Sequence, residues 1–276
     1  MQKNNLVRYL AIFDAHCGYE FNEESDYDKS IPRFVKSHDE ILLRKIYKFA
    51  KGWKPDYVIW GGDQINLSCI SRWTEKKPRM IEGRTIREDF QFYTELCEPI
   101  NKLSSVKEIV WIEGNHEERL RELVNKHPQL DGVAMVYNLL ELTDGGRSLQ
   151  DYTFVPTGRL WKPEGSKVSF THGHIVLGGS GNQAKKLTDA YHRSVRAGHL
   201  HSYMAWTERV AADSDDYHTG IVVPPACKPN LPYAKNKPSS NQQGFLIGEY
   251  DSVTGKFWDQ VILSVNGEFV INGKRY

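Results

Sequence analysis

Between residues 14 and 201 the chain carries five short groups of side chains that can hold a cation: Asp14-Ala15-His16, Gly62-Asp63, Gly114-Asn115-His116-Glu117, His172-Gly173-His174 and Gly198-His199-Leu200-His201. Carboxylate, carboxamide and imidazole without thiolate form a donor set for Mn, Fe or Zn, and the residue types do not choose among them. Each group alone has a plain reading. An aspartate at a strand end caps or turns, a buried histidine satisfies its nitrogens in the core, and Asn115 can cap a helix that starts near Glu117. Five such groups, each placed directly after an apolar run, are improbable as separate accidents, so one shared metal site is the economical inference.

The runs that precede the groups are residues 8–13, 57–60, 108–112, 167–171 and 194–197, each read as a buried strand. Amphipathic helical segments separate the first of them, at 39–51, 85–103 and 117–142. In the first helix, Ile41, Leu42, Ile46 and Phe49 fall on one face. Alternation of strands and helices is the pattern of an α/β protein, in which ligands bind beyond the carboxyl ends of the strands. Groups far apart in sequence thereby converge in space. The i, i+2 spacing of Asp14/His16 and His199/His201 lets each pair point one way if the extended backbone persists. Beyond residue 195 strand-like runs dominate, at 201–210, 218–223, 245–250 and 257–265, which implies a second, antiparallel sheet. Residues 252–255 and Asn266-Gly267 read as hairpin turns, since Asn-Gly favours the positive φ of a type I′ turn. The segments 19–37 and 224–243 mix Pro, Asn, Ser and charge without periodicity and read as loops.

Composition narrows the function class. The 276 residues suit a single domain over 1–276 with a core of ordinary size, and the formal charge of +1 gives no global field for a polyanion, so any such preference is local. No apolar stretch approaches the roughly 20 residues of a membrane span, so no membrane partner is expected. The amino-terminal stretch lacks the apolar core and cleavage site of a signal peptide, and the expectation is a cytoplasmic protein. Cys17, Cys69, Cys97 and Cys227 are scattered without CxxC pairs, which argues for reduced thiols rather than a disulfide framework or a zinc-cysteine site.

The order of the motifs, FDAHCG, GGDQIN, GNHEER, THGH and AGHLH, resembles that of the calcineurin-like metallophosphoesterase superfamily, whose signature is DxH, GD, GNH followed by D or E, a lone His with Gly, and GHxH. The resemblance runs through most of the chain. It implies a four-layer αββα sandwich of two mixed sheets flanked by helices, with two divalent ions. The first would be held by Asp14, His16, Asp63 and His201, and the second by Asp63, Asn115, His172 and His199, with Asp63 bridging. By the same resemblance manganese is favoured, and Fe, Zn, Ni or Mg remain possible. His116 is expected to face the substrate phosphate instead of ligating, so His116 and Asp63 are the residues expected to carry catalysis. The chemistry suits the ligands: two metals about 3.5–4 Å apart lower the pKa of a bridging water, so that hydroxide attacks in line, and clamp the phosphoryl oxygens. Many phosphatases of the superfamily have Asp three residues after the bridging Asp, where this chain has Asn66, a departure from the phosphoprotein phosphatases.

Around the expected site several residues have two readings. His174 is either a substrate or supporting contact or an exposed loop histidine. Cys17 reads as a small packed thiol. The glycine-rich stretch 178–181 before the helical segment 182–191 reads as a flexible connector rather than a phosphate cradle, and His38, His127, His192 and His218 read as surface or cap residues. Arg72, Lys76, Lys77, Arg79, Arg84 and Arg87 with Trp73 form a basic, aromatic mixture that either follows a nucleic-acid backbone or is a solvated helix face. Asn115, His116, His174 and Arg72 are the expected substrate contacts. In finer detail the chain resembles stand-alone phage and prophage members, related to a DNA break-repair nuclease group, with a compact catalytic domain and no cap. Three functions follow: a nuclease or phosphodiesterase on DNA or RNA, which the missing cap and basic segment favour; an enzyme acting on nucleotides or other small phosphate esters; and a non-catalytic scaffold of the same fold, disfavoured because every ligand position is retained.

Overall fold

The computed structural model describes residues 5–143, 151–212, 214, 216–232 and 241–276. Its strands are β1 (Leu6–Ile12), β2 (Tyr19–Phe21), β3 (Phe34–Lys36), β4 (Tyr57–Trp60), β5 (Glu108–Ile112), β6 (Tyr152–Val155), β7 (Val168–Phe170), β8 (Ser194–Ala197), β9 (Met204–Arg209), β10 (Tyr217–Val222), β11 (Gln243–Asp251), β12 (Phe257–Ser264), β13 (Val270–Ile271) and β14 (Lys274–Arg275). The helices are α1 (Glu40–Trp53), α2 (Ile86–Leu96), α3 (Glu98–Asn101), α4 (Glu118–Lys126), α5 (Val136–Thr143) and α6 (Gln183–Tyr191).

Two mixed sheets face each other. The larger has the order β12-β11-β1-β4-β5-β6, the smaller β7-β8-β10-β9. Strands β1, β4, β5 and β6 run parallel, β11 lies antiparallel to β1, and β12 antiparallel to β11. In the smaller sheet β7, β8 and β10 are parallel and β9 closes the edge antiparallel. The alternation of the strands divides their side chains between two cores. Tyr9, Ala11, Phe13, Ile59, Val110 and Ile112 point inward to meet Val168 and Phe170 of the smaller sheet. Leu10, Ile12, Val58, Trp60 and Trp111 point the other way, onto α1, α2 and α5. Helix α6 covers the outer face of the smaller sheet through Ala184 and Leu187 against Val195, Ala197 and Val222. The result is the helix-sheet-sheet-helix sandwich.

Several expectations need correction. The strands after residue 195 do not make a separate antiparallel sheet: β9 and β10 join the smaller sheet, whereas β11 and β12 extend the larger one. The helical stretch 85–103 is two helices because Pro99 starts a new turn, and 117–142 is α4 and α5 separated by a 3₁₀ turn at Pro128–Leu130. Proline lacks the N–H that would continue either helix but suits the first turn of the next. In α1 the buried face includes Leu43, and Ile41 is exposed. The 19–37 segment is not all loop, since Tyr19–Phe21 pairs with Phe34–Lys36. The 224–243 loop is irregular from 224 to 232, and its residues 233–240 lie outside the described ones. Strand β6 has no counterpart in the sequence reading. The Asn266-Gly267 turn forms with φ of 52° and 73°, as a type I′ turn requires, between paired Val265 and Glu268.

Candidate metal centre

Every donor group leaves the carboxyl end of a strand on the same side of the sandwich: Asp14 and His16 after β1, Asp63 after β4, Asn115 and His116 after β5, His172 and His174 after β7, His199 and His201 after β8. The connecting loops continue the strand pairing. Asp14 N donates to Gly62 O at 3.0 Å, His16 N to Asp63 O at 2.9 Å, and Gly198 N to His172 O at 3.0 Å, which ties neighbouring loops together within each sheet. Close approach also demands glycine, since a Cβ on Gly114 would lie 2.2 Å from Asp63 Oδ1.

The backbone does not stay extended through the i, i+2 pairs, contrary to the simple strand picture. Asp14, His16, Asp63, His199 and His201 all have φ between 46° and 71°, and they make up half of the described non-glycine residues with positive φ. Such conformations are costly for residues with a Cβ and cluster where function demands them. Here they turn the side chains into one space.

Three donor triplets result, each with ligand atoms within 4.8 Å of one another: His16, His201 and Cys227; His16, Asp63 and His116; and Asp63, His172 and His199. His16 Nε2 and His201 Nε2 face each other at 3.1 Å, and His172 Nε2 lies 3.1 Å from Asn115 Oδ1 and 3.3 Å from Asp63 Oδ2. Asp14 accepts from His199 N at 2.9 Å, and its Oδ1 is 3.7 Å from His201 Nε2. Burial dominates the electrostatics. It pushes Asp14 up to about 8 and holds His16 well below the usual imidazole range. Burial opposes the charges on Asp63 and His172 too, yet their mutual attraction wins, keeping Asp63 well below the carboxylate range and raising His172 to about 10. A proton thus sits where a cation would satisfy the same nitrogen.

His116 donates its N–H to Asp63 Oδ1 at 2.8 Å, and its Nδ1 lies 2.6 Å from Asn66 O. That carbonyl also accepts from Arg119 Nη1 at 2.7 Å. With Nδ1–H committed to Asn66 O, Nε2 is left 3.8 Å from Asp63 Oδ2. Burial lowers His116 to about 3, so the ring is neutral in the absence of an anion. His174 is less central: its Nε2 is 3.2 Å from Glu118 Oε2, with its ring 5.2 Å from that of His172.

Two residues of the third motif organise the site in a way that their sequence context does not show. Glu117 is fully buried, and its carboxylate accepts from Asp63 N (3.0 Å), Gln64 N (2.8 Å), Ile65 N (3.1 Å) and Gly114 N (2.9 Å). It clamps the loop after β4 to the loop after β5. Burial, then the neighbouring Asp63 charge, raises its carboxyl to about 7. Arg119 is held beside His116 and, with Trp73, Met80, Ser68, Asn115 and His201, lines a cavity of about 590 Å³ over the donors.

The sequence pattern of the calcineurin-like phosphoesterases matches residues 12–203, the span that contains every one of these donors except Cys227. The chain belongs to the calcineurin-like phosphoesterase family. Its members bind divalent metal ions, and the donor triplets above are the groups that this phosphoesterase offers them. No curated protein matches the chain in sequence. Among solved structures it is similar to Vacuolar Protein Sorting 29 from Cryptosporidium parvum, at 14% identity and a TM-score of 0.44 over 98% of this chain and 95% of that one. Wild-type Vps29 complexed with zinc from Entamoeba histolytica gives 13% identity and 0.41 over 93% and 99%. Chaetomium thermophilum Vps29 gives 9% and 0.38 over 94% and 99%.

The remaining sequence candidates sit as follows. Arg72 stacks on Trp73, 5.1 Å from the ring centroid, beside a smaller recess lined by Asn115 and Arg119. Apart from Arg87 in the first turn of α2, the basic segment is not a helix face: it comprises turns and the 3₁₀ turn Pro78–Met80. Arg79 pairs with Asp26 and Arg84 with Glu88, which neutralises part of its charge. The glycines at 178–181 are tied down by Gln183, whose amide bonds Gly178 N, Gly179 O and Gly181 O. His127 and His192 cap α4 and α6, and His218 lies half-buried in β10. His38 is neither surface nor cap: it is fully buried and accepts from Gly18 N at 3.2 Å. Among the described residues no helix is long and apolar enough to cross a membrane.

Proposed function

We propose that this phosphoesterase hydrolyses phosphodiester bonds in nucleic acid or nucleotides, with two divalent ions held in the cavity described above. The observation that carries the reading is the convergence of donors from five strand ends beneath one open cavity lined by His116 and Arg119. The donors suit the ions: His16 Nε2 and His201 Nε2, 3.1 Å apart, share one proton in the absence of a metal and can equally share one cation. Asp14, His16, Asp63 and His201 would hold the first ion and Asp63, Asn115, His172 and His199 the second. When bound, such a pair supplies Lewis acidity and a water acidic enough to attack at neutral pH.

The protein groups divide the remaining work. Asp63 lies between the two sets and keeps its carboxylate ionised. The Arg119 guanidinium faces the same cavity and attracts the phosphoryl anion, which also compensates its own burial. His116, oriented by Asn66 O, can carry a proton on Nε2 to the departing oxygen or meet the charge that builds on the phosphoryl group, contributions of about 10²–10⁴-fold. Trp73 is 69% exposed at the rim and offers a face on which a base can stack. An open cavity with an aromatic rim favours a diester with nucleobases over a compact monoester.

The test is a metal-supplemented panel comparing bis-p-nitrophenyl phosphate, p-nitrophenyl phosphate, cyclic nucleotides and labelled DNA or RNA. Turnover of the diesters and the polymers with little on the monoester is the expected result. Preference for p-nitrophenyl phosphate would assign a small-molecule phosphatase. No turnover of any member by metal-loaded protein would assign a scaffold.

A further inference from the structure

The donor triplet of His16, His201 and Cys227 contains a residue that the phosphoesterase motifs do not include. Three strand ends bring it together: His16 follows β1, His201 follows β8 and Cys227 follows β10. The thiol is not an accidental neighbour, because its backbone is fixed on both sides. Cys227 N donates to Asp14 O at 3.0 Å, Ala226 N to Phe13 O at 2.8 Å, Lys228 N to Ser37 O at 2.9 Å, and Gln243 Nε2 to Cys227 O at 3.0 Å. The sulfur is wholly buried, and so is the adjoining His16, whose Nδ1 has no hydrogen-bond partner. The other thiols differ: Cys17 and Cys97 face each other at 3.9 Å, and Cys69 lies in the 3₁₀ turn Ser68–Ile70.

We propose that the Cys227 sulfur is a further ligand of the ion faced by His16 and His201, which makes that position selective for a borderline-soft cation such as zinc over manganese. This rests on the metal-centre reading above. A zinc ion holds sulfur at about 2.3 Å and imidazole nitrogen at about 2.0–2.1 Å, which at tetrahedral angles sets two such donors about 3.6 Å apart. The three ligand atoms all lie within 4.8 Å of one another, so side-chain rotation alone can close them onto one ion. On coordination the thiol loses its proton to solvent and the thiolate charge offsets that of the ion, with no other bond made or broken. The spacing of the cysteines, without CxxC pairs, gives no sign of this ligand, because the donor set is mixed and assembled across two sheets.

Cobalt(II) substitution tests the proposal independently of turnover. Metal-free protein loaded with cobalt is expected to show a near-ultraviolet sulfur-to-cobalt charge-transfer band, absent from Cys227→Ser at equal cobalt content. X-ray absorption of the zinc form is expected to contain one sulfur scatterer near 2.3 Å. In competition with a chelator, Cys227→Ser should lose about 10-fold or more in zinc affinity and change little for manganese. Cobalt bound without the band, or a band that survives in Cys227→Ser, overturns the thiolate assignment and leaves the metal centre standing. Failure of the native protein to bind cobalt overturns both.

Discussion

Replacing Glu117 by Gln exchanges one carboxylate oxygen for an amide nitrogen in a space already filled by four N–H donors. The glutamine oxygen can serve the two donors on one side, and its NH₂ then faces the two on the other. If Oε2 is the position lost, Asp63 N and Gly114 N become buried and unsatisfied; if Oε1, Gln64 N and Ile65 N do. A buried donor without a partner costs about 1–3 kcal/mol, so the substitution should destabilise the fold by about 2–6 kcal/mol. Equilibrium unfolding in urea at pH 8 with chelator present reads that difference, at a pH where the native carboxyl, raised to about 7, is mostly ionised. Because the same clamp aims Asp63, metal affinity should fall about 10–100-fold in folded variant protein. A stability within about 0.5 kcal/mol of native together with unchanged metal affinity would refute the clamp.

His116→Asn should retain both metals and lose about 10²-fold or more in kcat; a uniform loss across good and poor leaving groups points to charge stabilisation, and a loss confined to poor ones to proton donation. Near-native turnover would reject both roles. Arg196 and Asp259 form a buried ion pair between the sheets, so Arg196→Met should cost about 3–5 kcal/mol by stranding Asp259, and adding Asp259→Leu should recover most of it, checked by denaturant unfolding of the single and double variants. A single variant as stable as native would contradict the pairing. Burial lowers His38 to about 4 from an ordinary 6.5, so its neutral form is the one the fold accepts. Its contribution is fully present above pH 6.5 and lost as pH falls toward about 4, at up to about 1.4 kcal/mol per unit. In chelator, His38→Gln should show a correspondingly shallower loss of stability between pH 6.5 and 4, and identical slopes would contradict the burial argument.

The sequence exposed most of the site because each donor group follows a short apolar run, and strand ends in an α/β sheet share one rim. It was silent on pairing. The burial of β11 on both faces nevertheless carries a signal, since a run such as Gly244 to Gly248 with no polar alternation suits an interior strand, whereas β12 alternates half-buried with exposed residues as an edge does. Glu117 looked like the first residue of a helix because acidic residues are common there; only the fold places four N–H groups around it. Cys227 and His38 were hidden by the same kind of locality. Their neighbours come from distant segments, and a cysteine outside a CxxC pair or a histidine outside a motif has no sequence mark to distinguish a packed core from a surface.

The central claim is that two ions and this cavity hydrolyse a phosphodiester, and a metal titration of stripped protein tests it most directly. Bis-p-nitrophenyl phosphate turnover is followed as zinc, and separately manganese, is added to native and Asp63→Ala protein, with bound metal measured in the same samples. The account predicts no turnover without metal, a rate that saturates at two bound ions per chain, and loss of both ions and turnover in Asp63→Ala. Native protein that holds two ions yet cleaves no diester, or Asp63→Ala protein that keeps both ions and full turnover, would contradict it.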